Sequence, residues 1–238
     1  MAGVQANREQ APKLATDRSA APNANRDPRN RVYHFLQFCL QVTVPVYFRF
    51  QARGIEHVPQ RGPALLVVNH QSFLDPLMVG IPISRPVRFL ARDTLFRGRL
   101  IGAFLNKVYA IPVNRDAASS TTIRQAASQL KQGFLVGIFP EGTRSCDGQI
   151  GALKPGFIAL VRRADVPIIP VGVAGTGAAF PRGAWFVRPT KCRVVFGAPL
   201  QSEMLAPLKG HGSEQALLDA VRGAMVRCFE EAREWRAH

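Results

Sequence analysis

Ala64-Leu65-Leu66-Val67-Val68, running straight into Asn69-His70-Gln71-Ser72-Phe73-Leu74-Asp75, is the stretch that decides how this chain is read. The first five residues are apolar, partly β-branched and preceded by Gly62-Pro63, which predicts a short buried strand. Asp75-Pro76-Leu77-Met78-Val79 then predicts a helix start, with Asp75 as its cap and Pro76 in the first turn. His70 therefore falls on the loop at the carboxyl end of a strand, where open α/β sheets keep their ligand sites. An aspartate within reach can accept from one imidazole nitrogen, fix the tautomer and leave the other nitrogen basic, which is the layout of a general base. Such pairs also arise by chance, and taken alone a solvated loop histidine beside a capping aspartate is the plainer reading.

A second stretch changes that balance. Phe134-Leu135-Val136-Gly137-Ile138-Phe139 predicts another strand, and Pro140-Glu141-Gly142-Thr143-Arg144-Ser145 follows it at once. A turn holding an acid, an arginine, two hydroxyls and a glycine can grip an anion through Arg144, the hydroxyls and the Gly142 amide. A plain surface turn with an internal Glu141–Arg144 pair fits the same residues.

The two stretches, in this order and about seventy residues apart, resemble the glycerolipid acyltransferase family typified by 1-acylglycerol-3-phosphate acyltransferase. Its Asn-His-x-Ser-x-x-Asp-type and Phe-Pro-Glu-Gly-Thr-Arg-Ser-type signatures both correspond to residues here. Ala110-Ile111-Pro112-Val113-Asn114-Arg115 resembles the family's second block, a strand ending in an arginine that contacts the acceptor phosphate. Val166-Pro167-Ile168-Ile169-Pro170-Val171 resembles its fourth. Gly54 to Pro59 and Lys154-Pro155-Gly156 extend the similarity, which covers residues 52 to 200. The chain departs from the pattern at Val108-Tyr109, where many members have glycine, and at Asn114, where aspartate is frequent; both bear on the choice of acceptor.

The resemblance implies transfer of an acyl group from acyl-coenzyme A or acyl carrier protein to the free hydroxyl of 1-acylglycerol 3-phosphate (lysophosphatidic acid). His70 is the expected base and Asp75 its orienting partner, with Gly142 donating to the oxyanion. Arg115 and Arg144, with Thr143, are expected to hold the acceptor phosphate, and Glu141 to hold either the turn or the glycerol hydroxyl. No metal or resident cofactor is expected, because the thioester already supplies the driving force. Other acceptors remain open: a lysophospholipid with a larger headgroup, an amino-acid lipid or glycerol 3-phosphate. So does a non-catalytic, basic membrane-binding protein on the same fold.

Composition agrees with one α/β domain working at a charged surface. The 238 residues suffice for a sizeable core, and 31 Lys plus Arg against 16 Asp plus Glu give a formal +15. That excess favours a polyanionic partner, whether nucleic acid, anionic lipid headgroups or the phosphates of a coenzyme. No helix-turn-helix, zinc signature or aromatic-interleaved sheet points to nucleic acid, so none is expected as partner. The four scattered cysteines form no metal-ligand pair or disulfide framework and suit a reducing compartment.

Residues 1–30 are polar, nearly free of aliphatic anchors and expected to be disordered, with no secretory signal. Residues 31–50 are strongly apolar but striped by His34, Gln37 and Gln41 and interrupted by Pro45. A span needs about twenty apolar residues, so a helix lying in the membrane interface, with Phe35, Phe38 and Leu40 inserted, is the expectation. Arg29, Arg31, Arg49 and Arg53 flank it, and the cytoplasmic face of an anionic membrane is the expected location. Packing of that helix on the domain is the alternative.

Residues 51–238 form the catalytic domain in this reading, an α/β fold with a mixed sheet flanked by helices. Further elements are a basic strand over 85–92, helices over 95–106, 117–131 and 155–164, a strand over 192–196 and a last helix from 213 to about 235. The six cations between Arg85 and Lys107 make either a solvated face or a contact with lipid or donor phosphates.

Overall fold

The computed structural model of the protein describes residues 31–107, 109–113, 120–200, 205, 207, 210 and 212–238. The expectations for residues 1–30 and for Asn114 and Arg115 lie outside them. A seven-stranded sheet organises the chain: β1 (Gln51–Arg53), β2 (Ala64–Val68), β3 (Val87–Arg92), β4 (Ile111–Val113), β5 (Leu135–Ile138), β6 (Ile168–Ala174) and β7 (Arg193–Phe196). Their order across the sheet is β1-β7-β6-β2-β5-β3-β4. Every pairing is parallel except β6 with β7, and that one antiparallel ladder makes the sheet mixed, as expected.

β2 is central, between β6 and β5, and all five of its residues are buried. A strand covered on both faces reads as a continuous apolar run, which is why 64–68 shows no alternation. Alternate residues nevertheless serve different layers. Leu65, Val67, Val136 and Ile138 pack with α4 (Ser120–Lys131), α5 (Gly156–Ala164) and α7 (Glu214–Ala237). Ala64, Leu66, Val68 and Leu135 pack on the other side with Met78 and Val79 of α2 (Asp75–Gly80) and Val44 of α1 (Arg31–Tyr47). α7 crosses β6 so closely that a Cβ at Gly172 would overlap the backbone of Cys228 and Phe229. α6 (Thr176–Ala179) follows β6 directly.

Two expectations need correction. The helix expected over 95–106 is split into a 3-10 turn, Asp93–Arg97, and α3, Arg99–Lys107. Asp93 accepts the Thr94 N–H at 2.8 Å, a local bond that competes with α-helical pairing. The basic stretch that begins at Arg85 is not one solvated or lipid-facing surface. Arg85 is buried and donates to the carbonyls of Pro59 (2.9 Å), Gly62 (2.7 Å) and Gly133 (2.8 Å). Arg88 stacks over the Phe134 ring and donates to Gln129.

α1 packs one of its faces on the domain. Leu40, Val44 and Phe48 face the core and Gln41 donates to the Ile81 carbonyl, so Leu40 packs inward instead of being available for insertion. Phe35, Phe38, Val42 and Val46 form an exposed stripe on the opposite side. Among the described residues no helix is long and apolar enough to cross a membrane.

Candidate active site

β2 and β5 run parallel side by side, so the loops after them meet at the same edge of the sheet. This brings the two sequence motifs together. The His70 Nδ1–H donates to Asp75 Oδ2 at 2.8 Å. The same oxygen accepts the backbone N–H groups of Gln71 (2.6 Å) and Ser72 (2.7 Å), while Oδ1 accepts the Thr176 hydroxyl at 2.5 Å. Asp75 is fully buried, and these donors compensate for its lost hydration. It is therefore not the helix N-cap expected from sequence: Leu74 holds that position, and the Asp75 carboxylate turns back to bind the preceding loop. With the proton fixed on Nδ1, Nε2 of the ring is left as the basic nitrogen, and it has no protein partner among the described residues.

The second motif clamps the first. Glu141 is buried and accepts the His70 N–H through Oε1 and the Gly151 N–H through Oε2, both at 2.9 Å. Burial pushes its carboxyl above the usual carboxylate range, and the two backbone donors pull partly against that shift. Both Glu141 oxygens are thus engaged by backbone N–H groups of the surrounding loops. The Ser145 N–H donates to the His70 carbonyl at 2.7 Å, and Gln71 Nε2 donates to the Gly148 carbonyl at 3.1 Å. The Phe139 ring lies under the imidazole, with centroids 4.0 Å apart and planes 21° from parallel.

Gly142 has φ +68, and its N–H donates to the Phe139 carbonyl at 3.0 Å inside the turn. That amide is engaged within the turn. Thr143 stands exposed at the tip of the turn. The Arg144 guanidinium lies 4.1 Å over the half-exposed ring of Phe73, a residue of the loop that carries His70. Arg115 lies outside the described residues.

Sequence reasoning missed two supports. Thr176 follows β6, and its place at the carboxyl end of a central strand was the available signal. Asn69 Nδ2 donates to the Val173 carbonyl (3.0 Å) and its Oδ1 accepts the Val173 N–H (2.7 Å), tying the loop to β6. Among the described residues no group of three or more His, Cys, Asp or Glu is placed to hold a metal ion. Chemically the site offers an oriented imidazole at an opening, beside a guanidinium and an exposed turn.

Comparison with known proteins agrees with this geometry. The family model described as Acyltransferase matches residues 49–174, more than half of the chain. The chain is 31% identical over 163 residues to the chloroplastic 1-acyl-sn-glycerol-3-phosphate acyltransferase LPAT1 of Arabidopsis thaliana, covering 66% of this chain and 46% of that protein. It is 26% identical over 191 residues to the 1-acyl-sn-glycerol-3-phosphate acyltransferase of Bacillus subtilis, covering 80% and 93%. The crystal structure of the 1-acyl-sn-glycerophosphate (LPA) acyltransferase PlsC from Thermotoga maritima shares the fold, with a TM-score of 0.70 at 23% identity over 87% of this chain and 84% of that one. The chain spans about half the length of the plant relatives. The motif loops at the ends of β2 and β5 fall inside the matched segment, and the chain belongs to the acyltransferase family.

Proposed function

We propose that the protein moves a fatty acyl group from acyl-coenzyme A or acyl carrier protein to the free hydroxyl of 1-acyl-sn-glycerol 3-phosphate, forming phosphatidic acid for phospholipid biosynthesis. The observation that carries this reading is the His70–Asp75 pair at 2.8 Å, set at the carboxyl ends of the central strands beside Arg144. The substrate named for the plant and bacterial relatives supports the choice of acceptor.

The acceptor oxygen attacks the thioester carbonyl carbon while its proton passes to His70 Nε2. Asp75 acts as the positioning residue that stabilises the imidazolium. The tetrahedral intermediate collapses with cleavage of the C–S bond, and the departing sulfur takes the proton from Nε2, so the base is regenerated. The turn of Gly142 and the exposed Thr143 supplies the donors to the oxyanion. Arg144 binds the acceptor phosphate, and the resemblance assigns Arg115 to the same task. The thioester needs no resident cofactor. Because long acyl chains partition into the bilayer at about 0.8 kcal/mol per methylene, the opening is best placed at a membrane surface, on the cytoplasmic face. The exposed stripe of α1 suits that placement.

The test is an assay of purified protein with labelled acyl-coenzyme A against lysophosphatidic acid, lysophosphatidylcholine and glycerol 3-phosphate. Lysophosphatidic acid is the expected acceptor, and His70→Ala is expected to lower its turnover about a hundred- to ten-thousandfold. Turnover of a different acceptor alone, or an alanine variant within about tenfold of wild type, would overturn the reading.

A further inference from the structure

A cleft of about 500 Å³ opens between the end of α1 and the start of β7, lined by Tyr47, Arg49, Pro189, Thr190, Lys191 and Arg236. It shares no residue with the His70 cluster. Three of its six lining residues are cationic and none is acidic. The cleft of similar volume lined by Gln51, Arg53, Arg193, Trp235 and His238 contains Glu231 and Glu234 and is mixed in charge.

The cations are set, not merely clustered. Arg236 donates from Nε to the Lys191 carbonyl (2.9 Å) and from Nη2 to the Thr190 hydroxyl (3.3 Å), which orients its guanidinium. α1 closes with the Phe50 N–H on the Pro45 carbonyl at 3.1 Å, and Arg49 between them has φ +43. This helix-ending turn favours glycine, since an L side chain is strained there. An exposed arginine at a position suited to glycine points to a use for the side chain.

What flanks the cleft identifies its occupant. On one side the exposed stripe of α1 ends in Val42 and Val46. On the other, Trp185 is 99% exposed and Phe186 66%. The Tyr47 hydroxyl donates to the Val187 carbonyl at 2.8 Å, fastening that aromatic loop to the end of α1. Exposed tryptophan and aliphatic side chains on both sides of a cationic cleft match a bilayer surface, where apolar groups insert and phosphates lie level with the cations. We propose that this cleft binds the phosphate of an anionic phospholipid in the bilayer and so fixes the orientation of the protein on the membrane. The proposal rests on the membrane-surface part of the function proposed above.

The experiment compares full-length protein on vesicles of phosphatidylcholine with and without phosphatidylglycerol, using Arg49→Gly, Lys191→Gln and, as a control, Arg163→Gln on the exposed side of α5. Arg49→Gly is expected to melt no lower than wild type, because glycine relieves the strain. Its binding to the anionic vesicles is expected to fall about ten- to a hundredfold, the scale of a charge-assisted phosphate contact. Lys191→Gln is expected to show a similar loss, and Arg163→Gln no more than about the fivefold of one generic surface charge. Equal losses in all three variants, unchanged binding by Arg49→Gly, or wild-type binding indifferent to phosphatidylglycerol would each overturn the proposal. So would coenzyme A binding, measured without vesicles, that Arg49→Gly abolishes. Acyl transfer to a water-soluble short-chain acceptor is measured in parallel. Its absence in wild type, with vesicle binding intact, would sink the proposed function and leave the headgroup site standing.

Discussion

The two ends of β2 and β5 are held by the same device with opposite charge. At the amino ends, the buried Arg85 guanidinium donates to carbonyls before β2 (Pro59, Gly62) and before β5 (Gly133). At the carboxyl ends, the buried Glu141 carboxylate accepts the N–H groups of His70 after β2 and of Gly151 beyond β5. Both are buried charges bonded to backbone, which is how such charges are made tolerable. The difference lies in what each end leaves open. Around Arg85 the bonds close the loops upon themselves. Around Glu141 they hold a loop whose histidine side chain stays 15% exposed with Nε2 unclaimed by the described residues. One clamp serves the fold, and the other serves a site that the fold keeps open.

The sharpest break of this comparison is Asp75→Asn. An amide can keep its oxygen toward the loop and turn its N–H groups to the Thr176 hydroxyl, but it lacks the charge that stabilises the imidazolium, and kcat is expected to fall about a hundred- to ten-thousandfold. Activity within about tenfold of wild type would detach Asp75 from the chemistry. Arg85→Met should do the reverse. Leaving three buried carbonyls without their donor is expected to cost about 3–5 kcal/mol, lowering the melting temperature on the order of 10 °C. Below the transition kcat should hold, and a collapse of kcat in folded protein would merge the two ends into one functional unit.

Glu141→Gln lies between them, because its amide can satisfy only one of the two N–H donors. A loss of about 1–3 kcal/mol with a moderate fall in kcat is expected. Its pH dependence carries a sign. The folded carboxyl titrates above its unfolded value, so its contribution is full below the ordinary carboxylate range and is lost as pH rises through the raised value. Glutamine does not titrate. The stability gap between wild type and variant, followed by denaturant melts, should therefore be widest in mild acid and narrow toward neutrality. A gap that widens with pH would mean that the backbone donors outweigh burial.

The smallest effect concerns the thiols. Burial pushes Cys192 up to about 12 and Cys228 up to about 11, whereas Cys146 is exposed. Alkylation of folded protein near neutral pH should label Cys146 and spare the buried pair until unfolding, with mass spectrometry as the readout.

The open end was far more legible than the closed one. Short apolar runs bounded by Gly-Pro or Pro-Glu-Gly located β2 and β5, and the polar residues immediately after each run located the site. Arg85 carried no such mark. Its partners lie 23 to 48 positions away, and in sequence it reads as the first of a run of surface cations. Thr176 was hidden for the same reason, bonding an aspartate 101 positions earlier. The internal bond of the Gly142 amide to Phe139 was not legible either, because it depends on φ, and sequence gives residue types but no such angle.

Asn69 shows what the first letter of the His70 motif is for. β2 pairs with β6 up to Val68 and Val171, after which the main chain swings away toward His70. The Asn69 side chain completes the pattern by meeting both polar groups of Val173, a carboxamide standing in for the next peptide unit. A strand can leave its sheet in mid-interior only if its neighbour is not left with unmet valences, and only a side chain that gives one hydrogen and takes another can act as that substitute. Aspartate, so close in shape, would bring two acceptors to a carbonyl that needs a donor. The asparagine is thus specified by the grammar of the sheet, and the reaction inherits from it a histidine delivered just outside the last rung.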